Sequence, residues 1–86
     1  QEEKFTKHLK KAQEYAQKGN NKAALIEYKN AIKIKPKSAA AHFGLSQIYL
    51  QIGNLGQAVS ELRKTIDLDP KHKAAILNLA NIYLLT

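Results

Sequence analysis

An all-α stack of antiparallel helix hairpins is the fold that this 86-residue sequence predicts, on three observations. The chain aligns with itself at a spacing of 34, residues 5–38 over residues 39–72. Tyr15 then falls over Tyr49 and Tyr83, Ala24 over Ala58, Glu27 over Glu61, and Ile32 over Ile66. A fixed period of this length marks stacked units, none of which buries its apolar side without a neighbour. Apolar residues also recur at three- and four-residue steps, the period of an amphipathic helix, and no strand-like alternation appears. Finally, the same punctuation returns in each unit: Gly19-Asn20 over Gly53-Asn54, and Pro36-Lys37 over Pro70-Lys71.

These marks divide the chain into five helices, at about 4–18, 22–35, 39–52, 56–68 and 73–85. Gly19 and Gly53 end the first helix of each pair, where the chain needs a left-handed residue that glycine adopts cheaply. Asn20 and Asn54 follow as turn residues. Pro36 and Pro70 stop the second helix, because proline lacks the amide donor and crowds the preceding turn. Ser38 reads as the N-cap of the third helix. Loops of three to five residues turn each helix back antiparallel to the last.

Small residues (Ala12, Ser46, Ala80, Ala24, Ala58) recur where two helices approach closely, and Tyr15, Tyr49 and Tyr83 are placed to fill the gaps between successive hairpins. Leu25, Ile32, Val59, Leu62 and Ile66 are expected to complete the core from the second helices.

The repeated pattern resembles the tetratricopeptide repeat, whose first helix follows W-x2-L-G-x2-Y and whose second follows A-x3-F before a closing proline. The first-helix pattern reads His8-x2-Lys11-Ala12-x2-Tyr15, His42-x2-Leu45-Ser46-x2-Tyr49 and Ile76-x2-Leu79-Ala80-x2-Tyr83. The second-helix pattern reads Ala24-x3-Tyr28 with Pro36, and Ala58-x3-Leu62 with Pro70. The chain departs from the family in having no tryptophan, Lys11 in place of an apolar residue, and Thr65 where Ala31 stands one repeat earlier.

The resemblance implies one domain over residues 1–86, a right-handed α-α superhelix or solenoid. It comprises two full units (about 5–38 and 39–72) and the first helix of a third (about 73–86). Phrases such as residues 23–36 and 58–70 look like those of bacterial members of the family, including proteins of cell-envelope and exopolysaccharide systems.

Composition narrows the function classes. The apolar share of 44% suits a folded chain, and a domain of this size buries roughly 60–65% of its unfolded surface. No apolar run reaches the ~20 residues of a membrane span. Gln1 to Lys4 show no signal-peptide pattern, so the expectation is a cytoplasmic chain or one whose address, such as that of an envelope protein, has been removed. Without cysteine there is no disulfide and no thiolate metal site.

The net charge of +7 is uneven: residues 1–37 hold ten lysines against four glutamates, and residues 38–86 four basic against three acidic residues. This basic half, with Lys4, Lys7, Lys10, Lys11 and Lys18, sets an electrostatic alternative in which the chain binds an acidic partner, nucleic acid or anionic lipid. Only Phe5 is interleaved for base stacking, which argues against nucleic acid.

Candidate catalytic groups are sparse. His8, His42 and His72 form no zinc-ligand spacing, and packing or solvation is their expected role. Asp67 and Asp69 read as helix-termination residues, and the isolated glycines make no phosphate loop. No catalytic residue, cofactor or metal is expected.

Binding is the expected work, because stacked hairpins make an extended concave face. The family lines that face with the first helix of each pair. Carried over by repeat, Leu9, Phe43 and Leu77 form one row, Gln13, Gln47 and Asn81 a second, and Thr6, Ala40 and Ala74 a third, with Leu50 near the rim. An amide both donates and accepts, so such a ladder suits the backbone of an extended peptide or partner protein, with Phe43 as a central anchor. The carboxylate clamp of chaperone-binding members would fall on Leu9, Gln13, Gly44, Ala74 and Asn78, which supply no cation.

The last helix carries Ile82, Leu84 and Leu85 where a covering helix is due. That predicts an array cut on its C-terminal side and a homo-oligomer formed through residues 73–86, the structural-assembly alternative.

Overall fold

The computed structural model describes residues 1–85 and shows five helices: α1 (Glu2–Gln17), α2 (Asn21–Ile34), α3 (Ala39–Gln51), α4 (Leu55–Leu68) and α5 (Lys73–Leu85). Thr86, at the end of the predicted third unit, lies outside the described residues. The helices begin and end within two residues of the expected positions, and no strand occurs among the described residues.

The terminators act as their chemistry requires. Gly19 (φ 77) and Gly53 (φ 80) take the left-handed conformation after α1 and α3. Lys35 and Asp69, each preceding a proline, leave the helical region with φ of −128° and −138°. Ser38 caps α3, its hydroxyl accepting from the Ala41 amide at 3.1 Å. Asn20 and Asn54 do more than turn the chain. Each is an N-cap, its side-chain oxygen accepting from the amide of Ala23 or Gln57 at 3.3 Å.

α1 packs chiefly on α2, and α3 on α4; α2 then meets α3, α4 meets α5, and α1 touches α3. α1 makes no substantial contact with α4 or α5, as a closed bundle would require. The extents of 38 × 26 × 17 Å fit a short slab of stacked hairpins. The main core lies within and between the two hairpins, around Ala12, Ala24, Tyr28, Leu45, Ile48, Tyr49 and Ala58, with Phe5, Ala31 and Ala41 forming a smaller cluster. Tyr49 is buried and Tyr15 half-buried, as gap fillers should be. Tyr83 instead stands half-exposed against Arg63, because no helix packs on that side of α5 among the described residues.

A repeated clasp ties each hairpin. His8 Nδ1 lies 2.6 Å from Glu27 Oε1, and His42 Nδ1 lies 2.6 Å from Glu61 Oε1. The second clasp is buried on both sides and extended by His42 Nε2, which donates to the Pro36 carbonyl at 2.8 Å. His8 and His42 therefore do more than pack or stay solvated; they hydrogen-bond across the hairpin.

The hydrogen bond from His8 is the main cause holding the Glu27 carboxyl below its ordinary value, against burial and with help from Asn30 and the charges of His8 and Lys11. A carboxyl with a depressed folded value stabilises the fold above its unfolded value, near 4.5, and that contribution is lost as pH falls through the folded value. Thermal melts taken across that window are expected to show this loss in the native chain and a shallower decline in Glu27→Gln.

Candidate protein-interaction groove

The first helices of the pairs share one face of the slab, and a groove of about 350 Å³ opens there. Gln13 and Ala16 of α1, Ala40, Phe43, Gly44, Gln47 and Ile48 of α3, Tyr28 of α2 and His72 before α5 line it. None of these is a lysine, arginine or carboxylate. Three larger hollows lie elsewhere: two, about 500 and 420 Å³, at the Pro36 loop, and one of about 400 Å³ on the outer side of α1. The first is lined by Phe5, Lys35, Pro36, Lys37 and Ser38, and its Lys35 is already engaged by Glu2 and the Phe5 ring. The second is edged by Lys64 and Asp67. Size alone favours them, but the smaller groove is the one that spans successive repeats on a shared helix face.

The anticipated site residues divide. Gln13, Ala40, Phe43 and Gln47 come together in the groove. Leu9 packs against both core clusters and Leu50 against the main one, so both are half-buried and serve the interior as much as a ligand. Thr6 is exposed in a separate shallow hollow with Glu2, Glu3, Lys7 and Lys10. Ala74, Leu77 and Asn81 are exposed on α5. The amide ladder is not uniform, because Gln47 Nε2 donates to Asn78 Oδ1 at 2.7 Å and to the Ser46 hydroxyl at 3.2 Å. That bond ties α3 to α5 and holds the Gln47 amide in one orientation.

Residues that repeat positions did not point to also shape the groove. His72 Nδ1 accepts from the Ala75 amide at 3.1 Å, capping α5, which leaves the ring proton for Nε2. The same ring packs on Phe43 with centroids 4.5 Å apart. Tyr28 reaches through from the second-helix layer, its ring edge under Gly44, where a Cβ would collide with it. Burial pushes the Tyr28 phenol above its ordinary value. The sequence signal was Gly44 itself. Its repeat equivalents are Lys10 and Asn78, and a glycine inside a helix costs about 1 kcal/mol relative to alanine unless packing requires it.

A family model described as a TPR repeat matches residues 12–53, and another described as a tetratricopeptide repeat matches residues 39–72. The chain belongs to the tetratricopeptide repeat family. Its five helices form the helical solenoid of hairpins that such repeats build. Tetratricopeptide repeats generally mediate protein–protein interaction and are typically non-catalytic scaffolds. No curated protein matches the chain significantly. Among the described residues, no helix is long and apolar enough to cross a membrane, and no group of three His, Cys, Asp or Glu side chains is placed to hold a metal.

Proposed function

We propose that this single tetratricopeptide domain is a protein-interaction module whose groove, on α1, α3 and the start of α5, receives an extended segment of a partner protein. One observation carries the reading: the groove has an aromatic and amide lining with no charged side chain, although the chain carries a net charge of +7. A surface recruiting acidic partners by field alone would place lysines there. The occupant is therefore a neutral segment that sets an apolar side chain against Phe43 and its backbone against Gln13 and Gln47. The lysines of α1 and α2 contribute steering rather than recognition.

Peptides selected from a random display library against the native chain test this reading. Phe43→Ala is expected to weaken the tightest of them by roughly 30-fold, the loss typical of a central anchor. Equal binding by the variant would remove the groove from the mechanism.

A second reading, self-association, is favoured by α5. Leu84 is 83% and Leu85 87% exposed, with Leu77, Ile76 and Tyr83 also open, whereas Ile82 is half-buried on the inner side. Ile76, Ala80, Tyr83 and Leu84 continue the stripe that on α1 (His8, Ala12, Tyr15, Ala16) and α3 (His42, Ser46, Tyr49, Leu50) seats the following helix. The stripe is self-complementary about a two-fold axis at Ala80, which sets Ile76 of one copy against Leu84 of the other. Sedimentation of the native chain should then show a dimer that Leu84→Glu converts to monomer; a native monomer at high concentration contradicts the reading.

A further inference from the structure

The Tyr28 hydroxyl is the unexplained polar group of the groove. Only 5% of the residue is exposed, and its oxygen lies 2.8 Å from where a Gly44 Cβ would stand. It has no hydrogen-bond partner among the described residues, yet no side-chain polar atom there is both fully enclosed and unsatisfied. The oxygen is therefore open to the groove that Tyr28 helps to line. A nearly enclosed hydroxyl without a partner costs free energy, and a ligand that supplies the missing bond recovers it.

We infer that the Tyr28 hydroxyl, framed by Gly44, Phe43 and Gln47, is a hydrogen-bonding subsite for a neutral carbonyl, that of the backbone of the bound segment. This deepens the reading of the groove as a segment-binding surface and rests on it.

The phenol donates and the carbonyl accepts; burial pushes the phenol above its ordinary value and so disfavours its ionisation, which keeps the proton that it donates. A carboxylate is disfavoured because no lysine or arginine lines the groove to offset its desolvation. The apolar surface of Phe43, Ala40 and Ile48 beside the hydroxyl suits an aliphatic side chain flanking that carbonyl. The subsite occurs once. Leu62, without a hydroxyl, stands one repeat after Tyr28, and Lys10 and Asn78 replace the glycine in the flanking units.

The probe is N-acetyl-leucine N-methylamide, a neutral carbonyl beside one aliphatic side chain, titrated into the native chain while the backbone amides of Gly44 and Gln47 are followed by NMR. The free acid, N-acetyl-leucine, is the comparator. Expected are saturable shifts at both amides, weaker binding of the acid, and a roughly three- to tenfold loss of amide affinity in Tyr28→Phe with an unchanged melting temperature. Native affinity in Tyr28→Phe, with binding lost in Phe43→Ala, overturns the subsite and leaves the groove reading standing. No saturable shift in the native chain, with Phe43→Ala indistinguishable from it, overturns both.

Discussion

Glu61→Ala is expected to destabilise the chain by about 3–5 kcal/mol, the range for removing one partner of a buried ionisable pair. The reason lies in donor and acceptor counting. His42 is 6% and Glu61 7% exposed. His42 Nε2 faces the Pro36 carbonyl, which only accepts, so that nitrogen carries a proton. Nδ1 faces Glu61 Oε1 at 2.6 Å, and the two share a further proton whichever atom holds it. Without the carboxylate, the buried Nδ1 loses its partner between α3 and α4.

The repeat supplies an internal control. His8 and Glu27 make the same contact at the same spacing, with side chains 30% and 17% exposed, and solvent compensates more easily there. Glu27→Ala is expected to cost less, about 1 kcal/mol. Chemical denaturation of the two variants measures the difference. Equal losses would mean that burial does not set the worth of the clasp.

The second large effect belongs to Leu62→Ala, expected to cost about 2–5 kcal/mol. Leu62 is fully buried on α4, at the position that Tyr28 occupies one repeat earlier. Truncation removes its transfer free energy and leaves a void that surrounding helices close only in part. The domain is small, and marginal stability of about 5–15 kcal/mol leaves little margin for such a loss. The variant should melt well below the native chain and populate the unfolded state at modest denaturant. Val59 and Ile66, half-buried on the same helix, offer the comparison: Ile66→Val should cost no more than about 0.5–1.5 kcal/mol.

Much of the fold was legible because repetition supplies independent copies of each signal. Two glycines at one register, two prolines at another and a recurring small residue locate the helix ends and close contacts without knowledge of tertiary structure. The clasps were legible in principle: His8 over His42 and Glu27 over Glu61 are two registers of one period, each pair 19 residues apart. They escape a search for metal or catalytic spacings because both members are read one at a time.

The groove was half legible. Repeat positions point to Gln13, Ala40, Phe43 and Gln47, all on first helices. They do not reveal that Tyr28 comes through from the second layer, since only a missing Cβ at Gly44 admits it. Nor does a regular amide row anticipate the Gln47–Asn78 bond, which depends on how α5 leans on α3. Tyr83 shows the converse limit. Periodicity assigns it the role of Tyr15 and Tyr49, but the role needs a packed neighbour.

The face used for recognition is most directly tested by mapping a display-selected peptide onto the native chain through backbone amide shifts. Shifts concentrated at Gln13, Phe43, Gly44 and Gln47, insensitive to moderate salt, are the expected result. Shifts concentrated along the lysines of α1 and α2 and abolished by salt, or confined to Ile76, Tyr83 and Leu84 on α5, would contradict it.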